Sequence, residues 1–177
     1  RALKPDLLVV SGHSKGAALV IRQRKQMKVK VPLLAITHCE SAKVNDAKKY
    51  GKGAAEGTLC ATQWAPDMSY KDRVFGDAPN YTSNFKKAYG YVPPYQAAES
   101  SAAVYVYARA FEIANSFDSA KIRQALADFN EETFYGRVKF APEGNNIAKP
   151  MVLRQIQNNK YVPVAPLNAA VGKLQIN

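Results

Sequence analysis

An α/β fold with a parallel sheet is what this 177-residue sequence predicts, on three observations. Short apolar runs and helical stretches alternate over residues 6–61. The runs "DLLVVSG", "PLLAITH" and "GTLCATQW" are apolar on both faces, as strands covered by helices on both sides must be. The stretches between them, "SKGAALVIRQRKQM" and "SAKVNDAKKYG", read as helices, the second closed by Gly51.

The rhythm then changes. From Ala65 to Asn130 helices are predicted and no strand. "PNYTSNFKKAYG" starts after a proline and stops at Gly90. "SFDSAKIRQALADF" offers Ser116 or Asp118 as N-cap, ahead of Ile122, Ala125, Leu126 and Phe129 at helical spacing. Between them "PPYQAAESSAAVYVYARAFEIAN" is a long helix, apolar nearly all round from Ala102 to Ala108, so it must be buried on most sides. The middle third has no strand to pack it on, so it packs either on the first third or, the favoured reading, on a sheet from a part of the parent protein absent from this sequence. The last third returns to strands. "FYGRVKF" alternates Phe134, Gly136, Val138 and Phe140 with Tyr135, Arg137 and Lys139. Together with "PMVLRQIQ" and "KYVPVAP" it predicts an antiparallel meander, with "APEGNN" and Asn158-Asn159 as turns.

Apolar content of 47% and charged content of 22% are those of a globular protein. No segment approaches the roughly 20 continuous apolar residues that cross a membrane. The sequence opens at Arg1 and enters a strand almost at once, so it reads as a chain entered midway. Its lack of a targeting segment therefore says nothing about compartment. The formal charge of +11 raises nucleic acid or an anionic membrane as partners. The densest basic cluster, Arg22, Arg24, Lys25, Lys28 and Lys30, falls on the helix face away from Ala17, Val20 and Ile21 and reads as a solvated face. No aromatics interleave it, and nucleic acid is not an expected partner. Cys39 and Cys60 make no disulfide framework and read as two separate buried thiols, a bridge staying open if their strands are neighbours. With two histidines and no clustered spacing, no metal site and no cofactor are expected.

Residues 9–19, "VVSGHSKGAAL", contain G-x-S-x-G between a strand and a helix, the pattern of a hydrolase nucleophile elbow. A serine hydrolase of that layout needs an acid and then a histidine after the serine. The only histidines are His13, inside the turn, and His38, at the end of the next strand. Lys15 adjoins Ser14 and points elsewhere. The plainer reading is a tight turn, permitted by its glycines, at the edge of a crevice, with no catalytic residue. In open parallel sheets ligands bind beyond the carboxyl ends of the strands. Ser11 to Ser14 and His38 to Ser41 lie at two such ends. Backbone N–H groups at the helix start suit a carboxylate, and Glu40 could hold an ammonium.

With these elements placed, the chain resembles the C-terminal half of the periplasmic type I solute-binding proteins, in the leucine/isoleucine/valine-binding branch of ABC importers. The stretches that carry the resemblance are "KPDLLVVSGH" followed by "IRQRKQM"; "GKGAAEGTLCATQW"; "NFKKAYGYVPPYQAAESSAAVYVYARAFEIA"; "SFDSAKIRQALADF"; and "FYGRVKFAPEGNNIAKPMVLRQIQNNKYVPVAP". Their order covers the chain to about Pro166. The resemblance implies an incomplete two-lobe fold: a parallel sheet flanked by helices, helices of the other lobe, and a C-terminal antiparallel hairpin. Residues 1–62 would form the second-lobe core, 63–66 a crossover, 67–130 helices of the first lobe, 131–133 a crossover, and 134–177 the return to the second lobe.

By the same resemblance, the protein is an extracytoplasmic substrate-binding component that closes its lobes on a small amino acid or related carboxylate. It would pass that ligand to an ABC permease and would work together with the missing N-terminal half. His13 or Ser14 matches the family's turn residue, Glu40 with Ser41 the acidic loop that pairs the ligand's ammonium, and Tyr95 the aromatic at the long helix. The turn residue is often aromatic in amino-acid binders, so His-Ser here points to a different ligand. Plainer roles stand beside each: Glu40 capping the helix near Ser41, His13 bonding the turn, Tyr95 packing a helix start, and Trp64 packing the hinge instead of touching ligand. A sensory ligand-binding domain of the same fold and a serine hydrolase using Ser14 are the other readings.

Overall fold

The computed structural model describes residues 3–176; Arg1, Ala2 and Asn177 lie outside the described residues. The chain divides into two compact units, Arg1–Thr62 with Met151–Asn177, and Gln63–Pro150.

The first unit opens with strand β1 (Leu7–Val10), helix α1 (Ser14–Gln26) and strand β2 (Leu33–Thr37). Helix α1 buries Ala17 and Ile21, one turn apart, against the sheet, and its last turn carries Arg24 and Lys25 where the helix dipole favours cations. Arg22, Lys25, Lys28 and Lys30 are exposed, as a solvated face requires, and Arg24 is partly buried. The helix expected over "SAKVNDAKKYG" is instead two single turns, α2 (Cys39–Ala42) and α3 (Ala47–Tyr50). Lys43 turns left-handed at φ 51°, and the Asp46 side chain caps α3 by accepting from the Lys48 and Lys49 N–H groups. The break drops Val44 into the core beside Leu34, Ile36 and Ile21.

Strand β3 (Leu59–Thr62) completes the parallel run, with Leu7 opposite Leu33 and Ile36 opposite Cys60. Cys39 and Cys60 are joined in a disulfide, which corrects the reading of two separate thiols. Their strands are neighbours, and the left-handed His38 at φ 59° turns Cys39 back over the sheet, bringing the Cα atoms to 5.6 Å.

The second unit begins with a short hairpin of β4 (Lys71–Asp72) and β5 (Gly76–Asp77), where no strand was expected. Asp72 holds its turn by accepting from the Val74 and Phe75 N–H groups. Helix α4 (Ala78–Tyr89) is capped by Asp77 and stopped by Gly90 at φ 80°. Helix α5 (Tyr95–Ala114) follows, then α6 (Ser119–Ala127), for which Asp118 is the N-cap. On α5 a stripe of Ala98, Ala102, Tyr105, Val106 and Ala110 is buried. Its other faces, expected to lie under a sheet absent from this sequence, are open in this chain: Val104 is 71% and Tyr107 55% exposed.

Strand β6 (Asn130–Thr133) pairs antiparallel with β7 (Gly136–Lys139) around a two-residue turn. Thr133 Oγ1 sets that turn, donating to the Gly136 carbonyl and accepting from the Tyr135 N–H. The unit's centre is aromatic: Phe134 stacks on Tyr81 at 4.2 Å between centroids and meets Phe75 at 4.8 Å. Trp64 stands edge-on to both Tyr81 and Phe134 and donates its indole N–H to the Phe134 carbonyl at 3.0 Å.

The α5–β6 junction is tied by a forked ion pair, Arg109 Nε and Nη2 donating to Glu131 at 2.9 and 2.6 Å. These hydrogen bonds hold the Glu131 carboxyl below the usual carboxylate range. A depressed carboxylate stabilises the fold above its unfolded pKa, and that contribution is lost as pH falls through the folded value. Glu131→Gln is therefore expected to lower the melting temperature at pH 7. The gap from the parent should narrow as pH is lowered toward about 3, as the folded carboxyl takes up its proton. An equal gap at both pH values would show that the charge plays no part.

The chain returns to the first unit with β8 (Val152–Gln157) and β9 (Lys160–Ala165), a hairpin turned by Asn158 and Asn159, both at positive φ. The sheet order is β1-β2-β3-β8-β9, with β8 antiparallel to β3 and Arg154 opposite Cys60. The predicted three-stranded meander is thus corrected. "FYGRVKF" pairs with the preceding "NEET" in the other unit, and the return comes at Met151, not at residue 134. Strand β1 is the sheet's edge, with Leu7, Leu8 and Val9 exposed.

Candidate ligand-binding site

Strands β1 and β2 run parallel and end together, so Ser11–Ser14 and His38–Ser41 leave the sheet at the same end. Thr37 stitches the two loops. Its Oγ1 accepts the Gly12 N–H at 2.9 Å and donates to the Gly12 carbonyl at 2.6 Å. His38 Nδ1 lies 2.7 Å from the same carbonyl. A carbonyl only accepts, so Nδ1 carries a proton and Nε2 is the free face of that ring when it is neutral. The His13 ring lies 5.1 Å from it. The catalytic reading of Ser14 would need a histidine bonded to the serine. At His38 Nδ1, where a triad would place its orienting carboxylate, stands the Gly12 carbonyl.

The turn is not built on glycine freedom, contrary to the sequence reading. Gly12 and Gly16 have open space where a Cβ would stand, and neither takes positive φ. The left-handed residue is His38. His13 is the N-cap of α1 in extended conformation, without a side-chain cap bond, and Ser14 opens the helix. The ladder starts with Ala17 N–H on the His13 carbonyl, which leaves the N–H groups of Ser14, Lys15 and Gly16 ahead of it.

Glu40 sits in α2 and neither caps a helix nor stands alone. Its carboxylate is ion-paired with the guanidinium of Arg154, a residue 114 positions away in sequence and buried in β8. Arg154 lies over the Tyr161 ring at 4.7 Å, and Tyr161 donates its hydroxyl to the Cys39 carbonyl at 3.1 Å. Burial pushes Arg154 down to about 10 and Tyr161 up to about 12, so at neutral pH the first is charged and the second is not. Ser41 is exposed beside this cluster. Sequence reasoning missed Arg154, because an arginine in a strand has no local signal that a distant glutamate meets it.

In the second unit, Tyr95 is the first residue of α5 and is partly buried. Trp64 belongs to the aromatic centre described above. Two residues near Tyr95 also went unread. Tyr135 is buried, with its phenol pushed up by burial and then by the charge of Glu99. The Lys149 ammonium lies 4.3 Å over the Tyr135 ring and donates to the Gln63 carbonyl. Burial pulls that ammonium down to about 8. An apolar cavity of about 270 Å³ in the same unit is walled by Ala102, Val106, Leu126, Val138 and Phe140.

Residues 1–160 match the family model described as periplasmic binding protein. The chain belongs to that family. This periplasmic binding protein is also similar to several solved structures. It aligns with a leucine binding protein from Thermotoga maritima at 23% identity and a TM-score of 0.67, over 89% of this chain and 43% of that one. A branched-chain amino acid transporter substrate binding protein from Streptococcus pneumoniae, in complex with isoleucine, aligns at 18% identity and 0.66, over 88% and 42%. A solute binding protein of an ABC transporter from R. palustris, in complex with benzoate, aligns at 17% and 0.63, over 99% and 46%. The chain thus spans under half the length of these structures, and at such identities they establish the fold it shares with them. Among the described residues no helix is long and apolar enough to cross a membrane.

Proposed function

We propose that this periplasmic binding protein supplies the second lobe, and helices of the first, of the extracytoplasmic substrate-binding component of an ABC importer. Its ligand is a small amino acid or related carboxylate, and its partners are a membrane permease and the rest of its own two-lobed fold. The observation that carries the reading is the pair of stitched loops at the carboxyl end of a parallel sheet, in a chain of this family. His13, Ser14 and Ser41 offer donors, Glu40 a carboxylate and Tyr95 an aromatic face. Ligand contacts from both lobes of the full-length protein would favour a closed state, so that capture is lobe closure and no chemistry follows. The Cys39–Cys60 disulfide fits an oxidising, extracytoplasmic compartment.

The test is thermal melting of the full-length gene product with about 1 mM of each of a panel of amino acids and small carboxylates. A ligand present well above its Kd stabilises the native state by a few kcal/mol, so a rise of several degrees is expected with at least one compound. No rise with any member of either class would overturn the reading.

A further inference from the structure

The charge of the candidate site sorts its ligands. Across the two loops that leave the sheet together, Ser11–Lys15 and His38–Ala42, Glu40 is the only carboxylate. An ammonium on a bound ligand would need that carboxylate. Its charge is already met at contact distance by Arg154, which is buried, lies over Tyr161, and cannot swing into solvent to free it. The pair sums to zero. A ligand ammonium approaching Glu40 meets the guanidinium behind it, and the repulsion between the two cations offsets part of the attraction to the shared carboxylate.

What remains on the loops is donors. The leading N–H groups of α1, a helix of 13 residues, precede its ladder. The exposed His13 ring stands at the same helix start, and Lys15 adds a cation to the same loop. Apart from the neutralised Glu40 these loops carry no negative charge, and the N–H groups at the start of α1 favour an anion over a cation.

We infer that Arg154, by neutralising Glu40, is a specificity-determining residue that makes the site select small carboxylates lacking an α-ammonium over the amino acids of the same skeleton. This rests on the binding reading above and narrows its substrate class. The ligands are monocarboxylates with an apolar body, including 2-oxo acids and aryl or branched alkyl acids.

The experiment is isothermal titration calorimetry on the full-length gene product with matched pairs: leucine against 4-methyl-2-oxopentanoate, and phenylalanine against phenylacetate. The expected result is that the ammonium-free member of at least one pair binds at least tenfold tighter than its amino acid. An amino acid binding as tightly as its partner, or tighter, in every pair that binds overturns the inference while the binding reading stands. No heat from any of the four, nor from a wider set of both classes, overturns the binding reading and this inference with it. Arg154→Gln gives a second arm, with circular dichroism to check that it folds. Freeing Glu40 should shift the preference at least tenfold toward the amino acid, and Arg154→Lys should keep the parent's preference. A folded Arg154→Gln protein with unchanged preference means that Arg154 does not set the class. The wild-type pairs decide the matter even if the variant does not fold.

Discussion

Reduction of the Cys39–Cys60 disulfide is expected to destabilise the first unit by about 3 kcal/mol at 25 °C. The bridge closes a loop of 21 residues in sequence, and the chain-entropy cost of leaving that loop open in the unfolded state is of this size. The effect reaches beyond stability, because Cys39 opens the turn that carries Glu40, and its carbonyl takes the Tyr161 hydroxyl. Urea unfolding with and without dithiothreitol, and of the Cys39→Ser/Cys60→Ser double variant, measures the change. A difference below about 1 kcal/mol in both comparisons would mean that the bridge contributes little in solution, because entropic stabilisation from a loop of this length should exceed that.

Phe134→Ala is expected to cost the second unit about 3–5 kcal/mol, the range for a large aromatic lost from a full core. Phe134 is fully buried, and Tyr81, Phe75 and Trp64 all lean on its ring. Its backbone is held as well, the N–H by Asp72 and the carbonyl by Trp64, so the site cannot collapse freely into the space left. Trp64 is the single tryptophan of the chain, which makes its fluorescence a reporter on this unit alone. The emission should shift red at a much lower urea concentration in the variant, and Phe134→Leu should cost clearly less. Equal midpoints for parent and Phe134→Ala would show that the aromatic centre is not what holds the unit together.

The strands and helices that repeat a simple period were legible in the sequence. β1, β2, β3 and α1 follow from apolar runs and helical spacing, α4 from its early proline and the Gly90 stop, α5 from its long apolar run, and α6 from the Asp118 cap and its apolar spacing. What escaped depends on contacts between distant positions. "NEET" has a composition poor for a strand, and it becomes one only because Thr133 organises a two-residue turn that pairs it with the segment after it. The break between α2 and α3 needs the left-handed Lys43, which no pattern of apolar residues announces. Of the candidate site, the two loops and their common mouth were readable from the rule for parallel sheets. Glu40 is a candidate by its position alone, and its pairing with Arg154 is not legible, since that residue is reached only through the antiparallel pairing of β8 with β3. The disulfide belongs to the same class: two cysteines without a motif are joined by sheet order.

The edge at β1 carries a consequence for how such a chain must be handled. Leu7-Leu8-Val9-Val10 holds neither charge nor proline, and one side of its backbone presents donors and acceptors with no neighbouring strand among the described residues. Natural sheets that end in water blunt such an edge with lysine, proline or a bulge, and none of these stands here. A strand of this kind is a template. Whatever extended apolar segment reaches it first, from its own gene product or from another copy in a crowded tube, gains a row of hydrogen bonds by joining the ladder. Solubility of the isolated chain is therefore a matter of concentration and of what competes for that row.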